Sequence, residues 1–110
     1  MKIVIAGAGE TGSHLSKILA QESQDITMLD ANEAKLKQLK TTLNIKTVAG
    51  QAISIASLKE SGVEDADLFV AVTPSETENI TACVLASKLG AKKTLSRIDN
   101  NEYLLPENKE

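Results

Sequence analysis

The stretch that decides the fold is Lys2-Ile3-Val4-Ile5-Ala6-Gly7-Ala8-Gly9-Glu10-Thr11-Gly12. Ile3 to Ala6 is a continuous apolar run, the pattern of a central strand covered on both faces. It leads directly into a Gly-x-Gly-x-x-Gly turn. Beyond the turn, Leu15, Ile18 and Leu19 recur at helical spacing, which predicts a helix from about residue 11 to 22. In such a turn Gly7 allows the tight bend, Gly9 lets the backbone approach a pyrophosphate, and Gly12 lets the helix pack closely on the sheet. The first N–H groups of the helix then face the diphosphate, aided by the helix dipole.

The same alternation continues along the chain. Ile26-Thr27-Met28-Leu29 reads as a second strand ending at Asp30, and Asn32 as the N-cap of a helix whose inner face is Leu36, Leu39 and Leu43. Lys46–Ala49 is a third strand stopped by Gly50, followed by a short helix over Ile55–Ser61 with Gly62 as terminator. Leu68–Val72 is a second continuous apolar strand. Thr73-Pro74-Ser75-Glu76 then predicts a helix with Thr73 as N-cap, Pro74 at the first position and Glu76 at the third. That helix runs to Leu89, with Gly90 just past its end, and Thr94–Ile98 forms a last, more polar strand. Strands alternating with helices mean an α/β protein with a parallel sheet. Right-handed crossovers then favour a Rossmann-like, doubly wound sheet in the order 3-2-1-4-5, layered α/β/α. The expected domain covers 1–98, with 99–110 as a tail leading into a further C-terminal part.

Composition narrows the function. With 110 residues, 42% hydrophobic and 25% charged, the chain is one ordinary globular domain. Aromatics are 2% and the net charge is −3, which argues against nucleic acid: there is neither a stacking platform nor a basic face. Leu68–Val72 is far too short to span a membrane, so no direct membrane insertion is expected. The single cysteine, Cys83, cannot form an internal disulfide, which suits a reducing cytoplasm. It falls among Ile80, Val84 and Ala86 and reads as a small core residue. His14 is the only histidine, and neither paired carboxylates nor a metal-ligand cluster has recognisable spacing. No catalytic residue and no metal site are expected.

Asp30 lies 18 residues after Gly12, close to the spacing of an acid that binds a ribose diol. A carboxylate there repels a 2′-phosphate, and no arginine occupies 31–35, so NAD or NADH is expected rather than NADP; Lys35 is the nearby cation. The plainer role for Asp30 is a negative charge at the start of the second helix, and both roles are compatible. Gly50-Gln51-Ala52 ends the third strand, where the adenine end of a dinucleotide lies in this topology, or else is a simple loop turn. Thr73, at the switch point between strands 1 and 4, is placed either to touch the second ribose or nicotinamide or to cap its helix. Arg97, the only arginine, either reaches phosphate across the switch point or is an exposed edge charge.

The glycine turn, Asp25–Asp30, Val48–Ala52, Ala66–Thr73, Glu76–Ile80 with Ala82-Cys83, and Ser96–Ile98 followed by Tyr103 together resemble the TrkA family of RCK or KTN domains, regulators of potassium conductance and transport. The resemblance covers essentially the whole chain. It implies a non-catalytic module that binds NAD(H), or in some members ATP or ADP. It further implies assembly into dimers or rings and control of a membrane potassium-translocating subunit of the Trk type from the cytoplasmic face. Carried onto this chain, the site is Gly7, Ala8, Gly9, Glu10, Thr11, Gly12, Asp30, Gly50, Gln51, Ala52, Thr73 and Arg97. Two positions depart from the family pattern. Glu10 stands where triphosphate-preferring relatives carry arginine, and Gln51 replaces a common acid. The competing expectation is the cofactor domain of an NAD-dependent dehydrogenase; a third is an oligomerisation module that has lost its ligand.

Overall fold

The structure is a computed structural model, and it describes residues 1–97. Five parallel strands, β1 (Lys2–Ala6), β2 (Asp25–Asp30), β3 (Lys46–Ala49), β4 (Leu68–Ala71) and β5 (Thr94–Ser96), form one sheet in the order β3-β2-β1-β4-β5. The helices are α1 (Glu10–Gln21), α2 (Glu33–Thr42), α3 (Ile55–Glu60) and α4 (Glu76–Leu89), with a 3₁₀ turn at Val63–Asp65.

Strand alternation divides the core in two. Ile3, Ile5, Ile26, Met28, Val70 and Val72 pack under α1 and α2. Val4, Ala6, Leu29, Val48, Phe69 and Ala71 pack under α3 and α4. The apolar runs of β1 and β4 are therefore continuous because each strand serves both layers. The Rossmann-like order and the three layers expected from the sequence are present.

Local chemistry sets the helix boundaries. Asn32 caps α2 by accepting from the Lys35 N–H at 3.1 Å, as expected, and Ser54 caps α3 by accepting from Ser57 N–H. Gly62, at φ +84°, ends the α3 segment. The start of α4 differs from the expectation: Ser75, not Thr73, is the N-cap, accepting from Glu78 N–H at 3.1 Å, and Pro74 precedes the helix. The physical reason is that Thr73 is engaged by Asn79 instead. On α1, Leu15 and Leu19 face the core with the small residues Gly12 and Ser16, while Ile18 is exposed. Cys83 is buried as expected, but Ile80 and Val84 lie on the outer face of α4, about half exposed. The strand expected to reach Ile98 is β5, ending at Ser96; Ile98, Tyr103 and the expected 99–110 tail lie outside the described residues.

Candidate functional site

A cleft of about 180 Å³ opens at the carboxyl ends of the strands, where the strand order switches from one side of β1 to the other between β1 and β4. Gly7, Asp30, Gly50, Gln51, Ala52 and Thr73 line it, joined by Pro74 and Glu78. Six of the expected site residues thus converge from four separate strand tips. Parallel register explains the convergence: Ala6 pairs with Leu29 and Ala71, and Asp30 with Ala49, so these strands finish level with one another.

The glycine turn is held on both sides. Gly7 adopts φ +118°, which L side chains rarely occupy, and donates its N–H to the Leu29 carbonyl at 2.9 Å. Ala8 donates its N–H to Asp30 Oδ2 at 2.7 Å, and the other carboxylate oxygen, Oδ1, accepts from Asn32 N–H at 2.7 Å. Asp30 is therefore a structural clasp between the turn and the loop entering α2. An ionised carboxylate offers about four acceptor sites. Two are used, and each oxygen keeps one.

The remaining residues of the motif face elsewhere. Ala8, Gly9 and Glu10 line a second cavity of about 410 Å³ between α1 and α2, which Lys35 also borders. Gly12 points inward, its missing side chain filled by the Gly7 carbonyl. Thr11 is exposed, and its hydroxyl lies 3.5 Å from Nη1 of Arg97. Arg97 thus leans from the end of β5 towards the start of α1, outside the cleft itself. His14 lies exposed on the outer flank of α1 with Ile18, also away from the cleft. Asn32, Ser54 and Ser75 each cap a helix with a side-chain acceptor, but Gly9 at the start of α1 supplies none. The orphan N–H groups of this first turn open past Gly9, which has nothing within 4 Å of where a Cβ would stand.

The sequence reading missed Asn79. It is 1% exposed and bonds to Thr73 and to the Arg97 carbonyl, knitting the tips of β4 and β5 to α4. The signal was available: Asn79, Ala82, Cys83 and Ala86 form the inward stripe of α4, and an asparagine on such a stripe needs buried partners.

The family model of the TrkA-N domain matches residues 3–107. The chain belongs to the TrkA-N domain family. The Trk system potassium uptake protein TrkA of Halomonas elongata is 41% identical over 105 residues, which are 94% of this chain and 23% of that protein. This TrkA-N domain therefore spans about a quarter of the length of such a relative. Among solved structures, the Kef CTD of Shewanella denitrificans in an AMP-bound form superposes with a TM-score of 0.79 at 20% identity, covering 94% of this chain and 62% of that one. The anaerobilin reductase ChuY of Escherichia coli O157:H7 superposes at 0.73 with 13% identity, over 99% of this chain and 58% of that one. At these identities the two structures share the fold. No helix among the described residues is long and apolar enough to cross a membrane.

Proposed function

We propose that this TrkA-N domain is the nucleotide-sensing lobe of a potassium uptake regulator, binding NAD or NADH at the strand tips. The observation that carries this is the uncapped start of α1 beside the open Gly9, with the Asp30 carboxylate at the neighbouring strand tip. The helix start supplies N–H donors and a positive dipole end for a pyrophosphate. Arg97, within reach of Thr11, adds a cation on the same side. The two unused acceptor sites of Asp30, one on each oxygen, match the vicinal hydroxyls of a ribose.

The cleft at about 180 Å³ is below the roughly 300 Å³ at which pockets for whole small ligands begin. It suits one portion of a dinucleotide, with the diphosphate running over the open turn. Asp30, Gly50, Gln51 and Ala52 form the adenosine end, and Thr73 the distal end. Asp30 disfavours the 2′-phosphate of NADP. Glu10, the first residue of α1, disfavours the extra charge of ATP, although ATP or ADP fits the same donors. The AMP-bound Kef domain supports an adenine nucleotide on this fold.

Relatives named as potassium uptake proteins support the physiological role. In this role the domain acts in the cytoplasm, as a homo-oligomer of two or more copies, peripheral to the membrane through a Trk-type potassium-translocating subunit. Ligand binding changes the assembly's shape by favouring one conformation over another. The second reading, a dehydrogenase cofactor domain, draws on the shared fold of the ChuY reductase.

Calorimetry with NADH, NAD, ADP, ATP and NADP tests the proposal. The dinucleotides are expected to bind, NADP the weakest of the three, and no heat with any nucleotide at millimolar concentration would sink it. Hydride transfer from NADH to a carbonyl substrate would favour the dehydrogenase. Asp30→Ala is expected to abolish dinucleotide binding, but it also strips Ala8 and Asn32 of their acceptor, and Asp30→Asn keeps only one of the two, so both variants are read beside a thermal melt.

A further inference from the structure

We infer that Asn79 is a positioning residue that turns Thr73 into an acceptor-only contact, so the cleft selects a nucleotide carrying a hydrogen-bond donor beyond its phosphates. This rests on the nucleotide reading above and goes further by specifying which groups the distal end of the cleft accepts.

The orientation of the Asn79 amide follows from its neighbours. Thr73 N–H, which can only donate, lies 2.9 Å from one amide atom, so that atom is the oxygen. The other amide atom lies 3.0 Å from the Thr73 carbonyl and 3.4 Å from the Arg97 carbonyl, which only accept, so it is the nitrogen. The Thr73 hydroxyl is 2.6 Å from Asn79 Oδ1. Two oxygens that close need a proton between them, and the amide oxygen has none to give. The hydroxyl proton of Thr73 is therefore committed to Asn79, in preference to the Ser75 carbonyl at 3.2 Å. One hydroxyl lone pair receives Ser75 N–H at 3.3 Å. What remains to Thr73, which lines the cleft, is a single acceptor site.

A phosphate oxygen is itself an acceptor and gains nothing from that site. A sugar hydroxyl or a carboxamide N–H donates to it. The distal end of the cleft thus rewards a ligand that continues past the diphosphate into a second sugar, and is indifferent to one that stops there. Asn79 is what imposes this, because without its oxygen the Thr73 hydroxyl is free to rotate and donate.

The test is calorimetry with two probes, ADP and ADP-ribose, which differ by the second sugar. Thr73→Val, isosteric but lacking the hydroxyl, is expected to weaken ADP-ribose about tenfold while ADP stays within about twofold. Thr73→Ser is expected to keep wild-type affinity for both. In Asn79→Ala the Thr73 hydroxyl regains a free proton that can reach phosphate, so the preference for ADP-ribose over ADP is expected to narrow several-fold, and an unchanged ratio would overturn the role of Asn79. Equal shifts for both probes in Thr73→Val, or no shift for either, would overturn the inference while leaving the nucleotide site standing. Failure of the wild type to bind either probe would overturn the nucleotide reading itself. If Asn79→Ala does not fold, as its melting curve will tell, the Val and Ser pair at Thr73 decides alone.

Discussion

Replacing Gly12 by alanine puts a methyl group where there is no room for one. A Cβ at Gly12 would stand 1.8 Å from the Gly7 carbonyl oxygen, 3.0 Å from its carbon and 3.2 Å from Cγ2 of Val72. A carbon rests roughly 3 Å or more from such an oxygen, so α1 would have to retreat by about 1 Å. The turn cannot yield instead. Gly7 is fixed by its φ of +118° and its bond to Leu29, and its own Cα side faces the Val72 carbonyl. Overpacking of this kind costs about 1–3 kcal/mol and more where both sides are backbone; alanine's better helix propensity returns up to about 1 kcal/mol. A net loss of about 2–3 kcal/mol lowers the melting temperature by roughly 10–20 °C in a domain of this size. Circular dichroism melts and urea titrations measure it. Gly9→Ala is the control: at φ −74° with open space around it, it loses only a poorer cap, under about 1 kcal/mol. Its methyl group nevertheless stands over the helix start, so NADH affinity should fall while the fold persists. A Gly12→Ala protein that melts with the wild type, or above Gly9→Ala, would refute the packing argument.

Three further outcomes follow from other parts of the fold. Ser75→Ala should destabilise by about 1 kcal/mol in urea titrations, because it removes the α4 cap; a silent substitution would return that role to Thr73. The Asp67 carboxyl is held below its ordinary 3.8 by the Lys2 backbone N–H and then by the Lys92 ammonium. A carboxyl depressed on folding stabilises above its ordinary value and loses that contribution as pH falls through the depressed one. The melting-temperature gap between wild type and Asp67→Asn should therefore close on acidification below pH 3.8, and a gap constant down to full protonation would contradict the linkage. Burial pushes the Cys83 thiol above its ordinary range, so iodoacetamide should label native protein slowly at neutral pH and rapidly in urea. Equal rates in both would mean the α4–β5 seam is open.

Most of the architecture was written in local patterns. The apolar runs of β1 and β4, the Asn32 cap, and the terminators Gly62 and Gly90 all act over a few residues, and each is found where the sequence places it. The start of α4 departs from the local pattern for a physical reason. Thr73-Pro74-x-Glu76 and Ser75-x-x-Glu78 are overlapping cap patterns, and local rules rank them about equally. Asn79 breaks the tie by binding Thr73 through a contact that exists only once α4 lies against β4. The outer face of α4 was misjudged similarly, since helical spacing shows which residues share a face but not whether another element covers it. Ile80 and Val84 are left exposed in this chain.

The sequence by itself determined the order of elements, the class of sheet and the positions at which a side chain is forbidden. Those follow from backbone sterics and from the period of apolar residues, both of which are local. Only the tertiary structure decided how the candidate site is shared out. It made Asp30 a clasp on the glycine turn and brought Arg97 to Thr11 across 86 positions of chain. It also set the polarity of Thr73 through Asn79. Such roles depend on which donor meets which acceptor after the strands have aligned, and no spacing along the chain encodes that.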